Sequence, residues 1–225
     1  MPQQRVYLAR YGLRACDLVP HVGPFDMDLN AAGKLTASQH GTFLTSKITP
    51  GRPLLFFSSP FRRSLTTAHL AADACAATVR VEPGVSEWYT PSLVSKDCYV
   101  PPVIGSEEEE DWSFPMNNID RSYAPAFPTP LFEESEAALL SRCDTVIRRL
   151  VELHPTADLV IVSHAPCLLA FALALASATP ETASLKPWVL GAVSSFRKGE
   201  GTWEWEKELE QYTDHLTGEG ELYRR

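Results

Sequence analysis

Two arginines flank a glycine directly after a short apolar run, in the motif Arg10-Tyr11-Gly12-Leu13-Arg14. Glycine lets the backbone bend sharply and leaves room for a ligand to come close. A guanidinium group suits a phosphate because its planar fork donates two parallel hydrogen bonds to the oxygens. Taken alone, arginine pairs near strand ends are more often ordinary surface residues. The motif therefore predicts a phosphate site only if other segments bring suitable groups to it.

Three further predicted strands are followed by polar side chains that suit such a site. Ser58-Ser59-Pro60 ends the run at 54–57, and Ser163-His164 ends the run at 159–162. Glu87 follows a short strand predicted at 78–82. In a parallel sheet, ligands lie beyond the carboxyl ends of the strands. We therefore expect these residues to share one end of the sheet with Arg10.

The elements that must position these groups alternate along the chain. Continuously apolar runs at 54–57 and 159–162 are typical of strands buried on both faces, and stretches with helical spacing lie between them. This alternation predicts a three-layer α/β/α sandwich with a mostly parallel central sheet and right-handed crossovers. We expect one domain over residues 1–225. The predicted helices are 31–48, 62–77, 133–154 and 166–178, and edge strands within 191–205 precede a polar tail.

Residues 90–130 differ in composition from the rest of the chain. They hold many of the 18 prolines and the acidic run 107–111, and they show no periodicity. A long stretch of that kind is usually functional or mobile, and we interpret it as a Pro-rich, acidic insertion laid over the domain. The acidic run is interpreted first as a solvated face and second as a surface for a protein partner. Trp88 and Tyr89, just before it, could line a substrate opening or be buried beneath the insertion.

Composition limits the classes of function. With a net charge of −8 over 225 residues, the chain has no excess of basic residues of the kind that binds nucleic acid. The longest apolar run, 166–178, is too short to cross a bilayer, and no charged-then-apolar leader is visible, so neither secretion nor a membrane anchor is expected. Five scattered cysteines favour a reducing compartment, cytoplasmic or nuclear. The histidines and cysteines lack metal-ligand spacing, so no metal or cofactor is predicted.

Four motifs, in order, resemble the histidine phosphatase superfamily, which has the phosphoglycerate mutase-like fold. The resemblance covers roughly residues 5–216, and the segments 26–33 and 214–216 also look like family landmarks. The third motif looks closest to the branch that holds the ubiquitin-associated, SH3-containing tyrosine phosphatases and the histidine-phosphatase subunit of RNA polymerase III factor TFIIIC. The four motifs are Arg10–Arg14, Ser58–Ala68, Val81–Trp88 and Val162–Ala165.

The resemblance implies roles for the residues that match the family motifs. Arg10, Arg14 and Arg63 match the arginines that hold the phosphate, and His164 matches the late histidine that stabilises charge on the transferring phosphoryl group. Glu87 matches the acid that protonates the leaving oxygen. These roles agree with the needs of phosphoryl transfer, which depends on positioning and on dispersed positive charge, together with an acid near the leaving group.

One position departs from the family pattern. Tyr11 stands where the resemblance implies a nucleophilic histidine. An imidazole has a reference pKa of about 6.5 and a phenol one of about 10, so a phenol is the weaker nucleophile near neutral pH, although flanking arginines would favour the phenolate. A phosphorylated tyrosine also lacks the labile P–N bond of phosphohistidine. The longer side chain would place its hydroxyl in the space that the phosphate should fill.

The sequence therefore favours a phosphatase-like domain that has lost the ordinary reaction but keeps a pocket for phosphate or a phosphorylated ligand. Such a domain would serve as a binding or scaffold module, with a protein partner as a further expectation and the oligomeric state left open. The alternative is an active phosphomonoesterase on phosphoproteins or small metabolites, in which Tyr11 or a water molecule replaces the histidine. A mutase is disfavoured more strongly, because its carrier chemistry depends on a phosphorylated histidine.

Overall fold

The computed structural model describes residues 2–14, 26–90, 117–130, 132–178, 188–200 and 203–218. The strands in these ranges are β1 (Arg5–Arg10), β2 (Leu54–Ser58), β3 (Val79–Val81), β4 (Asp158–Ser163), β5 (Val193–Lys198) and β6 (Trp205–Tyr212). The α-helices are α1 (Ala31–Thr45), α2 (Arg62–Ala74), α3 (Glu136–Leu153) and α4 (Ala165–Ala176), and a 3₁₀ turn covers Pro83–Val85.

The described strands form one sheet in the order β3-β2-β4-β1-β5-β6. Neighbours from β3 to β1 are parallel, whereas β5 runs antiparallel to β1 and β6 antiparallel to β5. All six residues of β4 are buried, as the apolar run at 159–162 predicts for a strand in the middle of a parallel sheet. The mostly parallel sheet predicted from the sequence is confirmed.

Alternate residues of β1 enter two separate cores, one on each face of the sheet. Val6 and Leu8 pack with the buried side chains of α3 and α4. Tyr7 and Ala9 pack with those of α1 and α2. These two cores make the three layers that the sequence predicts, with a helix pair on each side of the sheet.

Helix boundaries follow from capping residues. Asn30 caps α1 by accepting a 2.9 Å hydrogen bond from the amide of Gly33. Ser135 caps α3 by accepting one from the amide of Ala138, so that helix begins at Glu136 rather than at the predicted Glu133. Glu133 itself has a φ of 65°, in the left-handed region that precludes a helix.

The predicted polar tail beyond residue 205 is wrong. That segment is β6, which pairs antiparallel with β5, from Val193 opposite Tyr212 to Lys198 opposite Trp205. Half of its residues are exposed and none is fully buried, so it has no run of buried apolar residues by which the sequence could reveal a strand. An edge strand of this kind is held mainly by backbone pairing.

Part of the predicted insertion lies outside the described residues, including the whole acidic run at 107–111. Its end, 117–130, packs on the domain. Ile119 forms a parallel bridge with Val79 at the edge of the sheet. The buried carboxylate of Glu82 accepts hydrogen bonds from the Tyr123 hydroxyl at 2.6 Å and from the amides of Ala126 and Phe127 at 2.8 and 3.2 Å. Glu82 thus ties this segment to the turn that leads to Glu87.

The apolar stretch at 166–178 forms α4, whose side chains pack in the core against α3. Across the described part of the chain, no helix combines the length and hydrophobicity that a membrane span requires.

Candidate functional site

Four connections converge at the carboxyl end of the parallel strands. Arg10 ends β1, Arg63 lies in the first turn of α2 after β2, Glu87 follows the turn after β3, and His164 joins β4 to α4. Arg63 is 1% exposed, Glu87 7% and His164 0%. The structure therefore brings these residues together in one largely dehydrated cluster, as the strand-end pattern predicts for Arg10, Glu87 and His164 and as the family resemblance implies for Arg63.

A carboxylate oxygen lies at the centre of this cluster. Glu87 Oε2 lies 3.3 Å from Arg63 Nη2 and 3.0 Å from His164 Nδ1, while His164 Nε2 lies 2.8 Å from Ser59 Oγ. Ser59 lies in the second of the four motifs, Ser58–Ala68, but its type and position alone do not predict this contact.

One tautomer of His164 explains most of these contacts. Arg63 Nη2 also lies 3.0 Å from His164 Nδ1, yet that nitrogen cannot both accept from Arg63 and donate to Glu87. Because a guanidinium only donates and an ionised carboxylate only accepts, the consistent assignment places a proton on Nδ1, which donates to Glu87. Nε2 then accepts from the Ser59 hydroxyl, and Arg63 and His164 are two donors that share one oxygen.

The protonation states follow from burial and charge. Burial by itself would raise the pKa of Glu87, but His164 and Arg63 together outweigh it and lower the pKa to about 2. Burial lowers the pKa of His164 to about 4, with Glu87 opposing the shift and Arg63 adding to it. Near neutral pH the cluster therefore contains an ionised carboxylate, a neutral imidazole and a guanidinium cation.

Tyr11 lies among the cationic groups. Its ring centroid is 5.1 Å from the Arg63 guanidinium carbon, 5.5 Å from that of Arg10 and 5.5 Å from the ring centroid of His164. The residue is 4% exposed. The phenol ring thus fills the space between the groups predicted to surround a phosphate.

Arg10 is held next to this ring. One of its terminal nitrogens donates to the carbonyl of Trp188. Its Nε is buried, and the described residues provide no acceptor for it. An acceptor oxygen of a bound anion would satisfy that nitrogen.

The backbone of Arg14 bridges to Leu29, and its carbonyl accepts a hydrogen bond from the Asn30 side chain at 3.3 Å. Its side chain is partly buried. A phosphate-binding role for Arg14 stays a prediction.

A histidine pair, not anticipated from the sequence, supports the backbone of Arg10. His40, on α1, places Nε2 3.1 Å from the Arg10 carbonyl and Nδ1 2.8 Å from His215 Nε2. Since a carbonyl only accepts, the Nε2 proton of His40 is donated to Arg10, and His40 Nδ1 accepts from His215. The segment 214–216, which the sequence marks only as a family landmark, is therefore linked to Arg10 by hydrogen bonds from His215 to His40 and from His40 to the Arg10 carbonyl.

Asp26 is a second residue that sequence reasoning missed. Its Oδ1 accepts a 2.8 Å hydrogen bond from the amide of Arg62 and lies 3.9 Å from Arg63 Nη1. Burial raises the pKa of Asp26 to about 6, against the lowering effects of the Arg62 amide and the two arginines. With Glu87 at Nη2, both arms of the Arg63 fork therefore face protein carboxylates.

The loop that delivers Glu87 is held from α3 by Arg142. This guanidinium donates to the carbonyls of Gly84, Ser86 and Glu87 at 2.8, 3.3 and 3.4 Å, and pairs with both oxygens of Glu134 at 2.7 and 2.8 Å. No motif marked Arg142, because the loop atoms that it binds are main-chain carbonyls distant in sequence.

The two alternatives for the aromatic pair are resolved in favour of burial for Tyr89. Tyr89 is 0% exposed, and its hydroxyl lies 2.8 Å from Ser86 Oγ. Trp88 is partly buried, and its indole nitrogen donates to the Glu134 carbonyl at 2.8 Å. Within the described residues no group of three His, Cys, Asp or Glu side chains could hold a metal ion.

The fold is shared with solved phosphatase structures. The ecdysone phosphate phosphatase of Bombix mori, determined with tungstate, is 15% identical, with a TM-score of 0.69 over 96% of each chain. The mycobacterial glucosyl-3-phosphoglycerate phosphatase, determined with VO3, is 18% identical, with a TM-score of 0.62 over 92% of this chain and 99% of that one. A mutant phosphoserine phosphatase from Entamoeba histolytica in complex with phosphoserine is 16% identical, with a TM-score of 0.58 over 95% of this chain and all of the other.

No curated protein sequence matches the chain. A family profile does: that of the histidine phosphatase superfamily (branch 1) matches residues 6–210, nearly the whole length. The order of its strand-end motifs, the sheet topology and this match lead to one assignment. The chain belongs to the histidine phosphatase superfamily, branch 1.

Proposed function

We propose that this member of the superfamily is impaired as a phosphatase and acts as a module that binds phosphate or a phosphorylated ligand. The observation that carries the proposal is the position of Tyr11, whose ring lies between Arg10, Arg63 and His164. A side chain of low nucleophilicity thus replaces the histidine that would accept the phosphoryl group. Its ring also occupies part of the space that the phosphate would fill.

The protonation of Glu87 supports the same conclusion. A general acid must carry a proton near the operating pH, but Glu87 has a pKa of about 2 and its oxygens accept from Arg63, His164 and the Trp88 amide. In this arrangement Glu87 serves as an anchor for Arg63 and His164. The role of proton donor, implied by the family resemblance, would require this cluster to rearrange around a ligand.

The guanidinium groups of Arg10 and Arg63 support the proposal that the site still binds an anion. Arg10 has a buried Nε for which the described residues provide no acceptor, and Arg63 is almost fully dehydrated. Charge-assisted hydrogen bonds from such groups are stronger than those of solvated side chains. An anion would compete with Glu87 and Asp26 for the Arg63 fork.

The test compares hydrolysis of para-nitrophenyl phosphate by the wild-type chain, Arg10→Ala and Tyr11→His. We expect the wild type to match Arg10→Ala, because a chain without a nucleophile gains nothing from phosphate positioning. Tyr11→His should raise turnover on the order of 100-fold or more, since removal of a covalent nucleophile usually costs at least that much. The triple variant Tyr11→His, Arg10→Ala, Arg63→Met should return to background.

Ligand binding is measured separately, by the shift in unfolding temperature with inorganic phosphate and with tungstate. Both anions should stabilise the wild type, and Arg63→Met should abolish the shift. Wild-type turnover well above that of Arg10→Ala, or trapped phosphate on Tyr11, would contradict the proposal and establish an active phosphomonoesterase. No anion-dependent shift would contradict the binding role.

A further inference from the structure

A cleft of about 360 Å³ lies between the end of α1 and strands β1, β5 and β6. It includes Arg5, the first residue of β1, whereas the site described above begins at Arg10, the last. Its volume is in the range of small-molecule sites. The cleft is therefore separate from the phosphatase-like cluster and lies toward the opposite end of the same strand.

Two hydroxyl groups on the floor of the cleft distinguish it from an ordinary surface depression. Tyr7 and Ser195 both line it and are 2% and 1% exposed. They are directly opposite each other on β1 and β5, so their side chains share one face of the sheet. The described residues give neither hydroxyl a hydrogen-bond partner. Neither oxygen is among the fully buried, unpartnered atoms of the described residues, so both reach the cleft and can donate to a molecule that enters it.

Two cations, Arg5 and Lys47, and one carboxylate, Glu208, line the cleft. Arg5 and Glu208 pair at 2.8 Å, and Arg197 also approaches Glu208 at 3.0 Å, so the one carboxylate in the cleft wall is neutralised. Lys47 lines the same cleft and is exposed, with its ammonium group 5.3 Å from the Phe43 ring. In a chain with a net charge of −8, this lining provides a local excess of positive charge that suits an anion.

The remaining walls are apolar. Ile48, which is 42% exposed, and Leu209 line the cleft beside the polar floor. Apolar surface next to a few fixed polar groups is the usual composition of a small-molecule site. A ligand with one anionic end and a short hydrocarbon body matches both parts.

We propose that this cleft binds a small carboxylic acid, with its carboxylate between the hydroxyls of Tyr7 and Ser195 and near Lys47, and its apolar body against Ile48 and Leu209. A carboxylate has two oxygens and about four acceptor positions, so it can accept from both hydroxyls and from the ammonium group. Because burial raises the pKa of Tyr7 to about 12, its hydroxyl keeps the proton that it donates. This site is independent of the proposed phosphate site.

The test is a calorimetric or NMR titration with hexanoate, compared with hexanamide, which has the same length but no charge, and with propionate, which lacks most of the apolar body. Hexanoate should bind saturably, with a dissociation constant on the order of 1 mM. Hexanamide and propionate should bind at least fivefold more weakly. Tyr7→Phe and Lys47→Met should each weaken hexanoate binding at least fivefold.

The variants separate this proposal from a structural effect. Tyr7→Phe removes a hydroxyl that bonds to no described residue, so its unfolding temperature should stay close to that of the wild type; Ser195→Ala provides a second variant with the same expected loss of binding. Arg63→Met, at the other site, should bind hexanoate like the wild type. Titrations that do not saturate, equal binding of hexanamide, or undiminished binding by both hydroxyl variants would overturn the proposal.

Discussion

Replacing His40 with glutamine should make the fold less sensitive to mild acid. His40 is 1% exposed, donates from Nε2 to the Arg10 carbonyl and accepts at Nδ1 from His215. A second proton on His40 would lie on Nδ1, facing the N–H of His215 at 2.8 Å. Burial lowers the pKa of His40 to about 4, even though its bond to Arg10 opposes the shift. A glutamine amide can still donate to the Arg10 carbonyl but does not titrate.

The magnitude follows from the two pKa values. In the unfolded chain, His40 has a pKa of about 6.5, so the unfolded state takes up the proton first as the pH falls. Stability therefore decreases from about pH 6.5 down to about pH 4. At about pH 5, protonation favours the unfolded chain by a factor of about 30, so His40 alone should cost about 2 kcal/mol relative to pH 7.

The assay is urea unfolding of the wild type and His40→Gln at about pH 7 and about pH 5, with the loss of unfolding free energy compared between them. The wild type should lose about 2 kcal/mol more than the variant on acidification. Any constant destabilisation by the substitution cancels in this comparison, as do contributions of titrating groups that do not contact His40. His215 is the exception, because His40 helps to lower its pKa. Equal losses in the two proteins would refute the tautomer and the depressed pKa assigned to His40.

Three further substitutions test other buried groups. Asp26→Asn should raise the unfolding free energy by about 1–2 kcal/mol near pH 7 and by little near pH 4. The reason is that the pKa of Asp26 in the fold, about 6, lies above its unfolded value of about 3.9. Urea unfolding at both pH values measures this difference in unfolding free energy. Arg142→Met should destabilise by about 3–5 kcal/mol, since it leaves Glu134 buried without its cation, and a second substitution, Glu134→Gln, should restore part of the loss. Glu82→Gln should cost about 1–3 kcal/mol and speed proteolysis within 117–130, because an amide group would face the Tyr123 hydroxyl or the backbone amides.

Each of these has a contradicting outcome. A stability of Asp26→Asn that follows the wild type at both pH values would exclude the raised pKa. Additive losses in the Arg142 and Glu134 variants would show that the pair does not act as a unit. Cleavage within 117–130 is compared with cleavage in the loop around 84–89 as an internal reference. If Glu82→Gln leaves this ratio unchanged, Glu82 does not hold the segment 117–130.

The layers and the main cluster could be predicted from the sequence because both depend on local patterns. Continuously apolar runs indicate β2 and β4, and the polar residues directly after them must lie at one edge of a parallel sheet. Glu87 and His164 were found in this way, whereas Arg63 was assigned from the family resemblance. β6 was missed because an exposed, charged edge strand has no alternation of apolar residues to reveal it.

The supporting residues were missed for a different reason. His40, Asp26 and Arg142 act on backbone groups or on atoms distant in sequence, such as the Arg10 carbonyl and the carbonyls of 84–87. Such contacts depend on how helices pack on the sheet, and no spacing of residue types encodes that. The protonation state of Glu87 could not be predicted from the sequence either, because it depends on the distances to Arg63 and His164 together with burial.

The two edge strands of the sheet, β3 and β6, limit self-association in different ways. At β3, backbone hydrogen bonds from Val79 to Asn118 and from Asp120 to Val79 occupy the outer side of the strand. At β6, closely spaced charges, including the pair Lys207–Glu210, line the outer strand. Charged edge strands and covered edges both disfavour the addition of a strand from another molecule. The segment 117–130, which Glu82 anchors, thus protects the protein from aggregation by strand addition. Its release would expose the unpaired backbone groups of β3 before the core unfolds.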